Sequence, residues 1–557
     1  MCRISVDCIR EIKASIPSLN RVAPNQVLRD GVLVRFRCMV QDNLDKVLKH
    51  KRVGEVDLKY RRGLEGVSTA GQFSREYYDV ERFVVVSVPG EALEPVSEDL
   101  VPLYVSGVSD KRDRPEEMAD ETVPPKRVRE CVDGEEPPAM IPVSIAADAE
   151  PSASPTPTVP HPIPDELVSA EVASRRVSAV LNMCDMNCEL KLHDVVEVIG
   201  IASKLVPEDC LGFPICDYSI EVIDVLRVFE PQVDALTQEQ AGIARSALKT
   251  VLARLLGDDQ VAAEYLLLQL VSSRVAGNEA LPTLGSWGLC LSNADTVNVK
   301  LLSQFIEAVV DGSFVSLETS NSVLSSEKFY PVRPVESDFT HAGILQLPSN
   351  STVVLDERAL GEGPVNALNI LALTKAVREQ EIMGVFGSSD IINFKLDCRF
   401  VILNSGTNKS IFGNTNPAYG VLGSSPFVTV DVRPTGAQEL TQTDICLSES
   451  DLKAIRTYVR TTKTLVGKVS ITEPVIEQFQ IDWVESRKND NSIPTEDIDA
   501  WATLLRVLAA SHGSTETSMD EWKSVIQLEA ERRIRNPRPS AKIQQVNQTT
   551  DPVVTGA

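Results

Sequence analysis

Residues 286–310 run in the order strand, short polar loop and amphipathic helix, which is the local plan of a phosphate-binding loop. Such a loop needs glycines so that backbone N–H groups surround the phosphates. It also needs a lysine for the outer phosphates and a serine or threonine for Mg²⁺. Here Asn298 stands where the lysine would be, and Val299 where the hydroxyl would be. We therefore predict a nucleotide-binding scaffold without its chemistry, and expect a binding function.

A second segment, residues 351–357, reads as the apolar strand and acidic pair of a Walker B motif. Its acids are Asp356 and Glu357, the residue type that holds Mg²⁺ beside a nucleotide. Once the loop has lost its lysine, an ordinary polar strand end explains this pair equally well.

Composition limits the partners. The chain has 557 residues, 43% of them hydrophobic, and a formal net charge of −24. Its length allows roughly three or four domains. A surface this acidic repels phosphate backbones, so direct nucleic-acid binding would need a local basic patch. Basic or mixed-charge protein partners are favoured.

The cysteines and the N-terminal residues indicate the cellular compartment in which the protein is expected. The chain has 11 cysteines, and charged residues interrupt its first thirteen positions, so no secretory signal is expected. A reducing compartment, the cytosol or the nucleus, is predicted. Cys184, Cys188, Cys210 and Cys216 could be read as a zinc cluster, but their spacing is irregular and no metal is predicted. No apolar run reaches the roughly 18–20 residues of a membrane span.

Short alternating strands at 31–42, 82–90, 191–203 and 219–228 predict one small OB-like β-barrel. The segment 108–165 between them is rich in Ser, Pro, Glu, Asp and Ala, and is predicted to be a disordered linker inserted in the barrel. Arg35 and Arg37 lie on the outward face of the first strand.

Beyond the barrel, Thr237 and Gln240 form a capping-box pattern that begins a run of helices. Strands and helices then alternate, which predicts an α/β layer with a mainly parallel sheet. Its strands are expected at 287–291, 342–347, 352–356, 399–404 and 427–432.

The predicted fold class is therefore α/β with an all-β part. The predicted divisions are 1–107 for the N-terminal region with the first half of the barrel, 108–165 for the linker, 166–232 for the second half of the barrel, 233–280 for a helical connector, 281–445 for the α/β core, 446–535 for a helical C-terminal lid and 536–557 for a disordered tail.

Three blocks in the α/β region resemble the AAA+ module of minichromosome maintenance (MCM) helicases. They are residues 343–357, 376–384 and 398–404. On that register Asp356 and Glu357 match the Walker B acids, and Asn404 matches the sensor asparagine. Pro426 falls near the arginine finger, and Glu496 stands where the second sensor would have an arginine. The resemblance implies a degenerate AAA+-like core that is not an enzyme and holds no cofactor.

A wider resemblance runs from about residue 17 to 530, excluding the linker. Five blocks are similar to the MCM complex-binding protein family: residues 17–20, 34–42, 88–91, 262–271 and 345–350. The family implies binding to MCM helicase subunits in place of one normal subunit, in assembly, protection or unloading of the helicase. It also implies roles in S phase and in sister-chromatid cohesion, with an indirect association with chromatin and no membrane.

The nucleus is the predicted location. Lys126, Arg127 and Arg129 fit a short nuclear-import signal, with Lys111 and Arg112 as a possible second cluster.

Two alternatives remain open. One is a weak ATPase of AAA+ type that uses Asp356, Glu357 and Asn404. The other is an OB-type single-stranded DNA-binding protein that uses Arg35 and Arg37.

Overall fold

The alternating segment predicted at 31–42 forms strand β1 (Val32–His50) in the computed structural model. Its inward side chains Val34, Phe36, Cys38 and Val40 are buried, as their spacing predicts. The residues that the structure describes are 16–21, 31–50, 77–90, 177–184, 190–205, 216–227, 236–274, 287–310, 312–335, 340–361, 363–387, 390–406, 410–412, 427–435, 447–490, 493 and 497–536. The predicted linker and most of the predicted tail lie outside them.

Five strands close into a barrel in the order β1-β2-β3-β5-β4. The others are β2 (Tyr77–Ser87), β3 (Ser178–Cys184), β4 (Val195–Lys204) and β5 (Tyr218–Arg227). β3 and β5 are parallel and the remaining neighbours antiparallel. The closed small barrel is as predicted, and it takes strands from both sides of residues 108–165.

Two helices follow the barrel, α1 (Gln238–Leu255) and α2 (Gln260–Val271). The predicted capping box is present, since Thr237 and Gln240 each accept from the other's backbone N–H. α2 is buried along nearly its whole surface, which explains its almost uninterrupted apolar sequence.

A five-stranded parallel sheet has the order β13-β6-β12-β9-β7. Its strands are β6 (Gly288–Ser292), β7 (Phe314–Glu318), β9 (Ser351–Asp356), β12 (Cys398–Leu403) and β13 (Phe427–Asp431). The helices between them are α3 (Val299–Val309), α4 (Asn321–Ser326) and α5 (Ala367–Glu379). Apolar clusters cover both sheet faces, so the strands are continuous apolar runs.

A second, three-stranded sheet has the order β11-β10-β8, with β8 (Val332–Arg333), β10 (Glu381–Phe386) and β11 (Asp390–Lys395). β10 and β11 form an antiparallel hairpin, and β11 is the outer strand.

The prediction of a strand at 342–347 is wrong, since these residues form no strand. Gly343 lies so close to Tyr330 that a Cβ would overlap the Tyr330 backbone. The N–H of Gln346 donates to the carbonyl of Gly343 at 3.0 Å, and Gln346 Oε1 accepts from the Gly343 N–H at 3.2 Å. These contacts close the segment into a turn, although its alternating apolar residues imitate a strand.

The C-terminal part is helical, as predicted. It contains α6 (Glu449–Val466), α7 (Glu473–Asn489), α8 (Asp497–Ser511) and α9 (Met519–Arg535). Trp501 and Trp522 are buried where α7, α8 and α9 meet. No helix in the described part of the chain combines the length and apolarity needed to cross a membrane.

Candidate functional site

Three predicted segments meet at the carboxyl edge of the parallel sheet. β12 lies between β6 and β9, so Asn404 stands between the loop after β6 and the acidic pair at the end of β9. Asn404 donates its N–H to the Leu291 carbonyl at 2.9 Å and accepts from the Ala294 N–H at 3.0 Å. The Glu357 N–H donates to the Leu403 carbonyl at 2.8 Å. The structure therefore brings Asp356, Glu357 and Asn404 to the loop that ends at Asn298.

Asn298 serves as the N-cap of α3. Its side-chain oxygen accepts from the N–H of Leu301 at 3.2 Å, which satisfies a donor that a bound anion would otherwise use. Val299 is half-buried and packs on the apolar core. Both residues therefore have structural roles in the helix start.

Arg358, which the sequence analysis did not single out, bridges the acidic pair and the loop. Its Nε and one terminal nitrogen donate to the two carboxylate oxygens of Asp356, at 2.9 and 3.0 Å. Its other terminal nitrogen donates to the backbone carbonyls of Ala294 and Val297, at 3.1 and 2.9 Å. The loop thus turns two carbonyl oxygens toward a guanidinium, whereas a phosphate loop turns N–H groups toward an anion.

Glu357 points into the protein and is fully buried. Its Oε2 accepts from the Asn404 side chain at 2.9 Å, and its Oε1 accepts from the Ile411 N–H at 3.3 Å. Burial raises the pKa of Glu357, while hydrogen bonds from Ser410, Asn404 and Ile411 oppose that rise and the charge of Asp356 adds to it. The carboxyl is held by protein donors on each oxygen.

Chemically, this edge resembles a cation site that the protein fills with its own arginine. Asp356 faces Arg358, and Glu357 faces neutral donors. The signal available in the sequence was a basic residue directly after the acidic pair. A single basic residue has no periodic pattern in the sequence. Its role becomes visible only when the fold brings the Ala294 and Val297 carbonyls next to it.

Other predicted site residues are not placed. Glu496, Pro426 and the basic cluster Lys126, Arg127 and Arg129 lie outside the described residues, as do Lys111 and Arg112. Of the four cysteines read as a zinc alternative, Cys216 is buried, and the side chains of the others are not described.

The side chain of Arg35 and the backbone of Arg37, at the two positions of β1 predicted to face outward, make contacts within the structure. Arg35 Nε lies 3.3 Å from Glu197 Oε1 on the neighbouring strand β4. The backbone N–H of Arg37 donates to Asn20 Oδ1 at 2.9 Å, and Asn20 donates back to the Arg37 carbonyl at 2.7 Å. The block at 17–20 is therefore a strap that hydrogen-bonds to β1.

Comparison with known proteins adds a family-level match. A family model described as "Mini-chromosome maintenance replisome factor" matches residues 9–209 and 225–536.

Among curated relatives, a protein from Gallus gallus named mini-chromosome maintenance complex-binding protein is 25% identical over 597 residues, covering 93% of this chain and 90% of the relative. A protein of the same name from Drosophila melanogaster is 24% identical, covering 95% of this chain and 94% of the relative. The Homo sapiens protein of that name is 28% identical over 303 residues, which cover 52% of this chain and 45% of the relative.

Proposed function

We propose a function from one premise: the chain belongs to the family of mini-chromosome maintenance replisome factors, whose model spans most of its length. It binds MCM helicase subunits; the names of its chicken, fly and human relatives say that those proteins bind the mini-chromosome maintenance complex. The family match along residues 9–209 and 225–536 is the observation that carries this proposal. It is not carried by any single pocket.

The mechanism we propose is mimicry. The region 281–445 would be a degenerate AAA+-like core that presents an MCM-shaped surface to an MCM subunit, with the barrel as an OB-like N-terminal part. An AAA+ module needs its loop, acidic pair and sensor at one sheet edge, and the meeting of Asn298, Asp356 and Asn404 supports this assignment. Such an interface typically buries more than roughly 1,200 Å².

As part of this proposal, the protein is not an enzyme. Phosphoryl transfer depends on cationic contacts to the transferred phosphate. The N–H groups of Arg358 instead donate to Asp356 and to two backbone carbonyls. Asn298, at the position of the lysine, caps a helix. These contacts support a site closed by the chain itself, whose remaining contribution is shape.

The proposed cellular role follows from the family. The protein would act in the nucleus during S phase, in assembly, stability or unloading of the MCM helicase in DNA replication, with a role in sister-chromatid cohesion. Replacing Lys126, Arg127 and Arg129 by alanine in a fluorescent fusion tests the location. Unchanged nuclear signal would remove this import signal from the proposal.

Binding is tested with the purified full-length chain and each purified MCM subunit, analysed by size-exclusion chromatography with light scattering. We expect a stoichiometric complex with at least one subunit. Failure to form a complex with any subunit, alone or mixed, would overturn the proposed function.

The nucleotide site is tested by calorimetric titration with Mg·ATP. We expect no saturable binding in the wild-type chain. Micromolar affinity that Asp356→Asn abolishes would instead identify a working ATP site and replace the pseudo-enzyme proposal by the weak-ATPase alternative.

A further inference from the structure

A cavity of about 210 Å³ lies between the barrel and the β10–β11 hairpin. Its apolar walls are Leu192 from the barrel, Pro331 before β8, and Phe386, Ile392 and Phe394 from the hairpin. Phe386 and Phe394 are edge-on to each other, with ring centroids 6.1 Å apart. The candidate nucleotide edge uses none of these residues.

The polar residues that line the cavity are Gln41, Asp42, Thr340 and Gln346. Asp42 is only 7% exposed, and its two oxygens accept from the backbone N–H groups of Asn43, at 3.0 Å, and Thr340, at 2.7 Å. No cation of the described residues contacts this carboxylate. Thr340 also lines the cavity, and its buried hydroxyl has no hydrogen-bond partner within the described ranges. Buried carboxylates are rarely left without a counter-charge.

The neighbouring histidine adds no positive charge. His193 lies edge-on to Phe394, with ring centroids 6.3 Å apart, and is 8% exposed. Burial lowers the pKa of His193 to about 4, against a smaller opposing effect of Asp194. The ring is therefore neutral at pH 7, and the negative charge of Asp42 stands without compensation from it.

We propose that this cavity receives an arginine or lysine side chain of a protein partner, with the aliphatic stem against the rings of Phe386 and Phe394 and the charged head toward Asp42. Long basic side chains bury their stems along apolar surface, and aromatic rings attract cations. At ~30 Å³ per water, the cavity holds roughly seven water volumes, comparable with the seven non-hydrogen atoms of an arginine side chain.

A protein segment fits this place better than a free amine. Ile392 lines the cavity and is 47% exposed, so the cavity opens at the surface along β11. β11 is the outer strand of its three-stranded sheet, and an extended partner segment can pair with such an edge. The net charge of −24 also attracts a basic partner. Only the identity of the partner, an MCM subunit, rests on the proposed function.

Two adjacent exposed isoleucines give a matched pair of variants. Ile392 lines the cavity, whereas Ile391, 52% exposed, lies on the opposite face of the strand. The probe is a blocked Gly-Arg-Gly tripeptide, with Gly-citrulline-Gly and Gly-norleucine-Gly as neutral counterparts, measured on the full chain by saturation-transfer NMR. We expect the arginine peptide to bind at least roughly tenfold more tightly than either counterpart. Ile392→Lys should remove this binding, and Ile391→Lys should leave it unchanged.

A second variant tests the carboxylate. Asp42→Asn should weaken binding of the arginine peptide roughly tenfold, whereas Asp520→Asn at the exposed start of α9 should not. Equal binding of arginine and citrulline peptides, or equal loss in both isoleucine variants, would overturn the proposal. Tight norleucine binding would instead mean a purely apolar site.

The peptide experiments involve no MCM subunit. A negative peptide result would therefore overturn the cavity proposal and leave the proposed MCM-binding function standing. A positive peptide result is then followed by the MCM complex assay, in which Ile392→Lys should weaken binding more than Ile391→Lys. Equal effects of the two variants in that assay would separate this cavity from the MCM interface.

Discussion

At the residue scale, Arg358 ties together two parts of the sheet edge that are distant in sequence. Its partners Ala294 and Val297 lie 64 and 61 positions earlier, while Asp356 is two positions away. One guanidinium therefore fixes the loop after β6 relative to the end of β9.

Arg358→Met is expected to destabilise the fold because it leaves Asp356 and two carbonyls without their donor. The expected loss is about 1–3 kcal/mol, since both side chains are partly exposed to solvent. Urea unfolding measures it. Lys328→Met is the control, because Lys328 is exposed, and should change the midpoint little. Equal midpoints for the two variants would contradict the bridging role.

Glu357→Gln should have a pH-dependent effect. Because the pKa of Glu357 is raised by burial, the folded protein holds its proton more tightly than the unfolded chain does. Ionisation of Glu357 therefore costs folding free energy above the raised pKa, and this cost disappears as pH falls below the unfolded value of about 4.3. The Gln variant should gain stability relative to wild type as pH rises.

Urea midpoints from pH 4 to pH 8 check this, with Asp390→Asn, at an exposed position, as the control. A difference between Gln variant and wild type that falls with rising pH would mean that the ionised Glu357 stabilises the fold.

At the element scale, α7 is held by few contacts. Val475 is its one fully buried residue, and Phe479 packs on Trp522 with ring centroids 4.8 Å apart. Trp522 also donates its indole N–H to Asp482 at 2.7 Å. The outer face exposes apolar side chains: Ile476, Ile481 and Val484. α7 is therefore held by Val475, by the ring contacts of Phe479 and Trp483 with Trp522 and Trp501, and by the hydrogen bond to Asp482.

Hydrogen exchange should separate α7 from α2. In α2, eleven of the twelve residues are buried, so its amides should open only with large-scale unfolding. We expect the backbone amides of α7 to exchange faster than those of α2, as measured by mass spectrometry. Phe479→Ala should speed amide exchange in α7 further and leave that in α2 unchanged. Equal protection of the two helices would contradict this picture.

The sequence predicted elements well where apolar runs were long. β6, β9, β12 and β13 lie within a residue or so of the predicted bounds, because strands buried on both faces are continuous apolar runs. β7, in which Ser316 interrupts the apolar residues, was not among the predicted strands.

The candidate site was predictable in part. Asp356 and Asn404, singled out from the resemblance, lie at the ends of neighbouring strands; their match to the Walker B and sensor positions stays a prediction. Asn298 was interpreted as a lost lysine, although asparagine before an apolar helix also predicts an N-cap. Arg358 could not be found, because its partners are carbonyls that only the tertiary fold brings near.

At the scale of the whole molecule, blocks that carry the family resemblance are joints between segments. Gln269 donates from α2 to the carbonyls of Trp287, at 2.9 Å, and Phe400, at 3.1 Å, and so links two strands of the sheet. Ser313 donates to the Pro89 carbonyl, and Phe314 donates to the Gly90 carbonyl at 3.1 Å. The block at 88–91 therefore attaches the barrel to β7.

Two glycines test the barrel joint. Gly90 and Gly31 have φ of 70° and 80°, but a Cβ at Gly90 would overlap the Phe314 carbonyl, whereas nothing lies within 4 Å of one at Gly31. Gly31→Ala should cost about 1–2 kcal/mol of backbone strain alone. Gly90→Ala should cost more in urea unfolding and should speed proteolysis between barrel and sheet. Equal losses of unfolding free energy in the two variants would mean that the contact between Gly90 and Phe314 can move apart without cost.

The barrel also has a consequence during synthesis. Its strands β1 and β2 leave the ribosome first, yet β2 pairs with β3 only after residues 88–177 have been made, and β5 ends at Arg227. At about 5–20 residues per second, the 140 positions from Ser87 to Arg227 take roughly 7–28 s. Throughout that interval the nascent hairpin keeps open, apolar strand edges. A chaperone that reaches the emerging chain has this window in which to cover them.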